Sequence, residues 1–470
     1  MTFLSRLKVR WVEDALLQRV VRNSGYLFSA STLGMLLTSV QGILAALLLG
    51  PAEYGLLGMI VLFASSVNRL LSFRMGELVV RYAGEYLATG QRERAAAVVK
   101  GAGLGEALTS VVAYLLLWLL APLGALYILK DPQSVGWIRF YGLALLANLV
   151  TETSTAVLQL ANHYRYQAAI NLAQSLLTAC WIVAAFFFGG GLRDVLLAYL
   201  AGKLVTGLAT AGVALRWTRP TFGEGWLRAP LKLLPAWREL FSFAVSTNLS
   251  GTINMVIRDS EVLWVGFFLS SLEAGYYKFA LAVMNILLMP VTPFISTTFP
   301  EISRAVARRD WKPLRRLLSR TSMLALAWTL LSALGMALFG RPLLGWLKGG
   351  AYLPALPAVF ILLLGYGAAN VLFWNRPLML SFGRPNEPLS ITALVGTLKT
   401  ALMFVLVRPL GFLAQAGLMS AYLLTSVGWI ALRGVRAITA AERFGSVDDR
   451  AGDAEEYSAA EQPLPTEGES

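Results

Sequence analysis

Eleven ionisable residues sit inside otherwise apolar runs: Arg69, Arg74, Glu77, Glu106, Glu152, Lys203, Arg258, Asp259, Glu261, Lys278 and Lys399. Each costs roughly 2.5–3.5 kcal/mol to place in hydrocarbon on insertion scales, so residues of this kind face a cavity or a partner. The bases suit recognition of an anionic group, and the carboxylates suit a proton or a small cation. Thr247, Ser250, Gly251, Asn254, Arg258 and Glu261 follow three- and four-residue steps, which places them on one face of a helix as a polar stripe. Asp259 lies about 100° from that stripe and is placed to pair with a base on another helix. The substrate-binding candidates are therefore Arg69, Lys203, Asn254, Arg258, Lys278 and Lys399. The ion-coupling candidates are Glu106, Glu152, Asp259 and Glu261, with a neutral, hydrogen-bonded carboxyl as the alternative role for Glu106 and Glu152. Arg74 and Glu77 are spaced for an intrahelical pair, and Lys278 is placed to snorkel from a span end.

Other chemistries are missing from the chain. There is no G-x-x-x-x-G-K-[ST] loop for ATP, and His163 and Cys180 are the sole members of their types, so no disulfide, metal or cofactor is expected. The carboxylate doublet Asp448-Asp449 lies in a polar tail. An enzyme is not expected, nor is a nucleic-acid binder.

The elements that must position these residues follow from composition. The chain has 470 residues, 56% of them hydrophobic and 14% charged, with mean hydropathy +0.61, which no soluble surface can accommodate. Apolar runs of span length recur at about 26–49, 56–80, 98–121, 137–160, 168–188, 194–216, 241–268, 275–299, 321–347, 354–375, 389–407 and 411–432, which predicts an all-α integral membrane protein of about twelve helices. With a cytoplasmic N-terminus, 28 Lys and Arg fall on the inner side and six on the outer side, which predicts that both termini are cytoplasmic. The inner loop 301–320 carries seven of them, interleaved with Leu314, Leu317 and Leu318, a composition suited to anionic lipid headgroups.

Two segments about 220 residues apart share an offset: Glu53-Tyr54-Gly55 and Glu273-Ala274-Gly275 each join the first two spans of a six-span half. That predicts parallel repeats around a central cavity. The expected organisation is a cytoplasmic segment 1–24, a first six-helix lobe 25–216, a cytoplasmic linker 217–240, a second lobe 241–433, and an acidic, disordered tail 434–470.

Leu49-Gly50-Pro51-Ala52-Glu53-Tyr54-Gly55-Leu56, Val80-Arg81-Tyr82, Arg258-Asp259 and Phe299-Pro300-Glu301-Ile302-Ser303, in this order, resemble the polysaccharide flippases of the multidrug, oligosaccharidyl-lipid and polysaccharide export superfamily. The resemblance spans about residues 25–433 and is nearer the twelve-span O-antigen type than the fourteen-span lipid II type. It implies an inner-membrane transporter that alternates access and moves polyprenyl-linked sugars from the inner to the outer leaflet, alongside glycan-assembly enzymes. Span 1 carries no charge here, so a family expectation of bases on that helix is not met. Two other readings compete: a cation-coupled drug exporter of the same superfamily, which would want an acidic, aromatic cavity, and a membrane polymerase or ligase of surface glycans, which would want a long outer loop.

Overall fold

Why the chain forms long helices is visible at their ends. Gly50 adopts φ 78° and Pro51 occupies the first turn of the next helix, where a missing N–H costs nothing. Asp131 accepts from the Gln133 backbone N–H at 3.1 Å and the Ser134 hydroxyl at 2.5 Å, and the Asp194 carboxylate accepts from the Gly191 N–H at 2.9 Å, so polar residues between apolar runs satisfy the orphan groups. The computed structural model describes residues 33–236, 238, 240, 248 and 251–460, with the backbone alone for 292–297 and 444–460. No strand occurs among them.

In chain order the helices are α1 (Leu33–Leu49), α2 (Pro51–Leu71), α3 (75–88, with a π-helical turn Val79–Ala83), α4 (Arg92–Leu123, continued by a π turn Gly124–Leu129), α5 (Val135–Ala147), α6 (Thr151–Leu160), α7 (Tyr164–Phe187) and α8 (Leu192–Phe222). After a π turn Met255–Asp259 come α9 (Glu261–Phe268), α10 (Ser271–Leu288), α11 (Thr292–Ala307), α12 (Trp311–Trp346), α13 (Leu356–Val371), α14 (Asn375–Ser381), α15 (Asn386–Leu410) and α16 (Phe412–Ala460). Ten helical stretches among the described residues are long and apolar enough to cross a membrane. The two remaining expected spans are α1, described from Leu33 on, and span 7, of which 241–247, 249 and 250 lie outside the described residues. The expected segment 1–24 lies outside them too.

The chain divides into two units: one of residues 1–286, 340–359 and 403–416, the other of 287–339, 360–402 and 417–470. Residues 217–286 thus belong with the first unit. In it, the segment expected as a linker packs down: Phe222, Ala229, Trp226 and Leu234 join a core with Val79, Val98 and Leu158, and Lys100 donates to the Ala229 carbonyl at 3.1 Å. The lone histidine, His163, stacks on Trp217 at 3.6 Å between centroids, and burial, followed by the neighbouring Arg165, holds its pKa below the ordinary imidazole value.

The two Glu-x-Gly segments meet within this unit. A Cβ on Gly55 would lie 1.9 Å from the Ser271 carbonyl oxygen and 2.6 Å from the Gly275 nitrogen; one on Gly275 would lie 1.8 Å from the Pro51 carbonyl oxygen. α2 and α10 therefore cross with their backbones touching, which small residues alone permit.

In the second unit, Leu314, Leu318, Trp374, Leu378 and Ile438 form a core, and the Trp374 indole donates to the Ser322 hydroxyl at 2.7 Å. The last helix runs past 433 to Ala460, and its stretch 434–443 is packed: Arg315 donates to both Glu442 oxygens at 3.1 and 2.8 Å and to Thr439 at 2.8 Å, and Ile438 is buried; residues 461–470 of the expected tail lie outside the described residues.

Candidate functional site

Three helices of the first unit are interrupted, and their loose ends build the site. α2 stops at Leu71, and after Ser72 and Phe73 the chain turns through Arg74 in the left-handed region (φ 49°, ψ 52°) before α3. The carbonyls freed by that break are not left bare: the Asn248 amide donates to the carbonyls of Arg69 (3.2 Å) and Ser72. A broken helix in hydrocarbon needs such a partner for each exposed backbone group.

The second break separates α5 from α6 at residues 148–150. Gly207 of α8 lies against the Ala147 carbonyl, where a Cβ would approach to 1.7 Å, so α8 presses on the end of α5. The new N-terminus of α6 exposes two N–H groups, those of Glu152 and Thr153, and the Glu106 carboxylate accepts both, at 2.7 and 2.9 Å. An anion at a helix N-terminus also meets the positive end of the helix dipole. Glu106, buried at 6% exposure, is thus a cap supplied by a neighbouring helix. Glu152 accepts from the Ser72 hydroxyl at 3.1 Å and from the Gly76 N–H at 3.5 Å, which ties the second break to the first.

The third interruption is the π turn Met255–Asp259, closed by Ser260 before α9 begins at Glu261. A π turn holds an extra residue, so the three- and four-residue stepping read from the sequence slips across it. Asn254 and Arg258 remain exposed, while Glu261 rotates inward to 1% exposure and accepts from the Tyr277 hydroxyl at 2.5 Å and the Gln415 amide at 3.1 Å. The expected stripe is therefore split at Glu261; its members Thr247 and Ser250 lie outside the described residues. Asp259 forms an ion pair with Arg69, the cross-helix partner that its offset from the stripe called for.

Two polar cavities share Arg69, Ser72 and Glu152. The larger, about 630 Å³, is also lined by Arg74, Arg81, Gln159 and Asn248. The smaller, about 250 Å³, adds Asn68, Tyr141, Asn148 and Lys203. Across both, four bases (Arg69, Arg74, Arg81, Lys203) face two carboxylates (Glu77, Glu152); Arg74 spends part of its charge on Glu77 at 2.6 Å, and Arg69 part of its own on Asp259. The lining can hold an anion by charge and a polyhydroxylated group by amides and hydroxyls.

The other expected site residues lie elsewhere. Asn254 and Arg258 do not line either cavity. Lys278 does not snorkel: its ammonium donates to the Tyr54 carbonyl at 3.1 Å, sits 3.9 Å from that ring's centroid, and its stem fills the space beside Gly58. Lys399 belongs to the second unit, buried with its ammonium 5.9 Å from the Tyr422 ring centroid. Asn148, Gln159 and Asn248 were not singled out from the sequence. The run Thr151-Glu152-Thr153-Ser154-Thr155 following Asn148, five polar residues inside an apolar stretch, was the available signal for the break at α6.

This geometry sits on a fold that is already known. The inward-facing form of a multidrug resistance MATE transporter of the MOP superfamily matches with TM-score 0.66 at 14% identity, over 87% of this chain and 96% of that one. The lipid II flippase MurJ in an inward closed conformation matches with TM-score 0.67 at 12% identity, over 87% of each chain. Among curated proteins, the inner membrane protein YghQ of Escherichia coli (strain K12) is 25% identical over 352 residues, covering 73% of this chain and 97% of that protein. The teichuronic acid biosynthesis protein TuaB of Bacillus subtilis (strain 168) is 22% identical over 328 residues, 65% of this chain and 64% of that protein. Residues 20–306 match the family described as polysaccharide biosynthesis protein, and with well over half of its length inside that match, this multi-pass membrane chain belongs to the polysaccharide biosynthesis family.

Proposed function

We propose that this protein is a flippase that moves lipid-linked oligosaccharide or polysaccharide precursors from the inner to the outer leaflet by alternating access. The observation that carries the reading is the excess of bases, four against three carboxylates with Asp259 beside Arg69 counted, at polar cavities set among membrane-length helices. A polyprenyl diphosphate sugar presents an anion that such bases attract, hydroxyls that match Asn68, Asn148 and Gln159, and a chain compatible with the bilayer. The same charge balance disfavours a drug exporter selecting cations. The names of the relatives, lipid II flippase and teichuronic acid biosynthesis protein, agree with an envelope glycan precursor.

The reading keeps two six-helix lobes, both termini in the cytoplasm, and transport without catalysis. Arg69 and Lys203 bind the diphosphate; Asn254, Arg258, Lys278 and Lys399 are carried as further binding candidates. Work comes from an ion gradient, the membrane potential or removal of product outside, with Glu106, Glu152, Asp259 and Glu261 as the carboxylates to test for ion coupling. In reconstituted vesicles, translocation of a polyprenyl diphosphate sugar should persist without ATP and fall at least tenfold in Lys203→Ala, with partial recovery in Lys203→Arg. Equal transport by all three proteins at matched expression would remove the anion-binding role.

A further inference from the structure

A third cavity of the first unit, about 460 Å³, differs in chemistry from the two polar ones: its lining is apolar except for Ser66 and Ser260. One wall is α2, through Phe63, Val67 and Leu70, which share a face at three- and four-residue spacing. The second is the end of α4 with its π turn, through Leu123 and Tyr127; the third is α9, through Trp264 and Phe267. Gly266 brings α9 against the π turn, where a Cβ would lie 2.9 Å from the Ile128 carbonyl oxygen. The Trp264 indole donates to the Val256 carbonyl at 3.3 Å, so the helix irregularity behind the groove is satisfied and the groove itself presents hydrocarbon. Leu70, Leu123 and Tyr127 are 45%, 52% and 56% exposed into it or to the surroundings.

Any apolar groove in a bilayer meets acyl chains, so its occupant must be argued from its position. Leu70 and Ser260 follow Arg69 and Asp259 directly in the chain, and Arg69, the partner of Asp259, lines both polar cavities. A group held at Arg69 is therefore one residue, about 100° of turn and about 1.5 Å of rise, from the apolar lining at Leu70. Resting on the flippase reading above, we propose that this groove binds the headgroup-proximal isoprenoid units of the lipid-linked substrate. From Phe63 to Leu70 the wall spans about 10 Å at 1.5 Å per residue, room for the first units and not for a whole polyprenyl chain. The distal chain remains in the bilayer. Because the groove offers no hydrophobic gain over lipid, its selectivity comes from packing and from the tethered anion.

The test uses the full chain in phosphatidylethanolamine–phosphatidylglycerol vesicles and three diazirine probes: a polyprenyl diphosphate disaccharide labelled on its first isoprene unit, the neutral polyprenol labelled at the same unit, and a phosphatidylglycerol labelled on its acyl chain. Peptides covering 63–70, 120–128 and 260–267 should be labelled by the diphosphate probe at least tenfold more than by either of the others. Moving the diazirine to the distal end should abolish that labelling, and Leu70→Trp with Leu123→Trp should reduce it at least tenfold. Equal labelling by the neutral polyprenol or by phosphatidylglycerol would show an ordinary lipid contact and overturn the inference, as would diphosphate-dependent labelling confined to other segments. A diphosphate probe that labels no part of the protein above the neutral one would instead remove the substrate reading, and the inference with it.

Discussion

Replacing Glu106 gives the sharpest test of how the site is built. Its carboxylate accepts the N–H groups of Glu152 and Thr153 at 2.7 and 2.9 Å, and it is 6% exposed, so Glu106→Ala strands two donors at the start of α6. A stranded buried donor costs about 1–3 kcal/mol, and the lost anion forfeits up to about 1 kcal/mol of helix-dipole stabilisation. Partial rescue by water from the neighbouring cavity leaves an expected loss of about 2–5 kcal/mol. Glu106→Gln keeps one acceptor oxygen and should lose about 1–2 kcal/mol. Unfolding of a detergent-solubilised transporter is read as an apparent Tm at fixed scan rate, so the order should be wild type above Glu106→Gln above Glu106→Ala, the last lower by several degrees. Glu106→Gln should also keep transport if the residue acts as a cap, and abolish it if it carries the coupled ion. An alanine variant as stable as wild type would refute the capping argument.

Three further outcomes follow from other elements. Gly55→Leu or Gly275→Leu should block folding or assembly, because the backbones of α2 and α10 leave less than 2 Å for a Cβ on either glycine; near wild-type yield and Tm for either variant would contradict that crossing. Externally added thiol reagent should label Asp131→Cys and spare Lys312→Cys in a cysteine-free background, and the reverse pattern would invert the topology drawn from the 28 to six split of bases. Arg315→Ala should expose the stretch around Glu442 to limited proteolysis by removing the hydrogen bonds to Thr439 and Glu442, which unchanged cleavage would disprove.

The sequence by itself was enough for the class of the fold and for some of the charges that line the polar cavities, Arg69, Arg74, Glu77, Glu152 and Lys203, though not for Arg81. Span-length apolar runs and lysine and arginine asymmetry are local, additive properties, so they are readable without any contact. The same holds for Asp259, whose offset from the expected stripe calls for a partner on another helix, and for the repeated Glu-x-Gly offset of Gly55 and Gly275, although nothing in that offset reveals that these two glycines touch. What tertiary structure decided was where helices break and, through the breaks, which side chains turn inward. The π turn at Met255–Asp259 costs nothing in periodicity that a sequence displays, yet it carries Glu261 away from Arg258 and into contact with Tyr277 and Gln415. Lys278 reads as a snorkelling lysine until Gly58 of another helix opens a slot for its stem. Likewise Glu106 is one buried acid among several until α8 presses on the end of α5 and leaves the start of α6 in need of an acceptor. Each of these outcomes depends on a group supplied by another element of the chain, and helical periodicity records only what a helix does along its own axis.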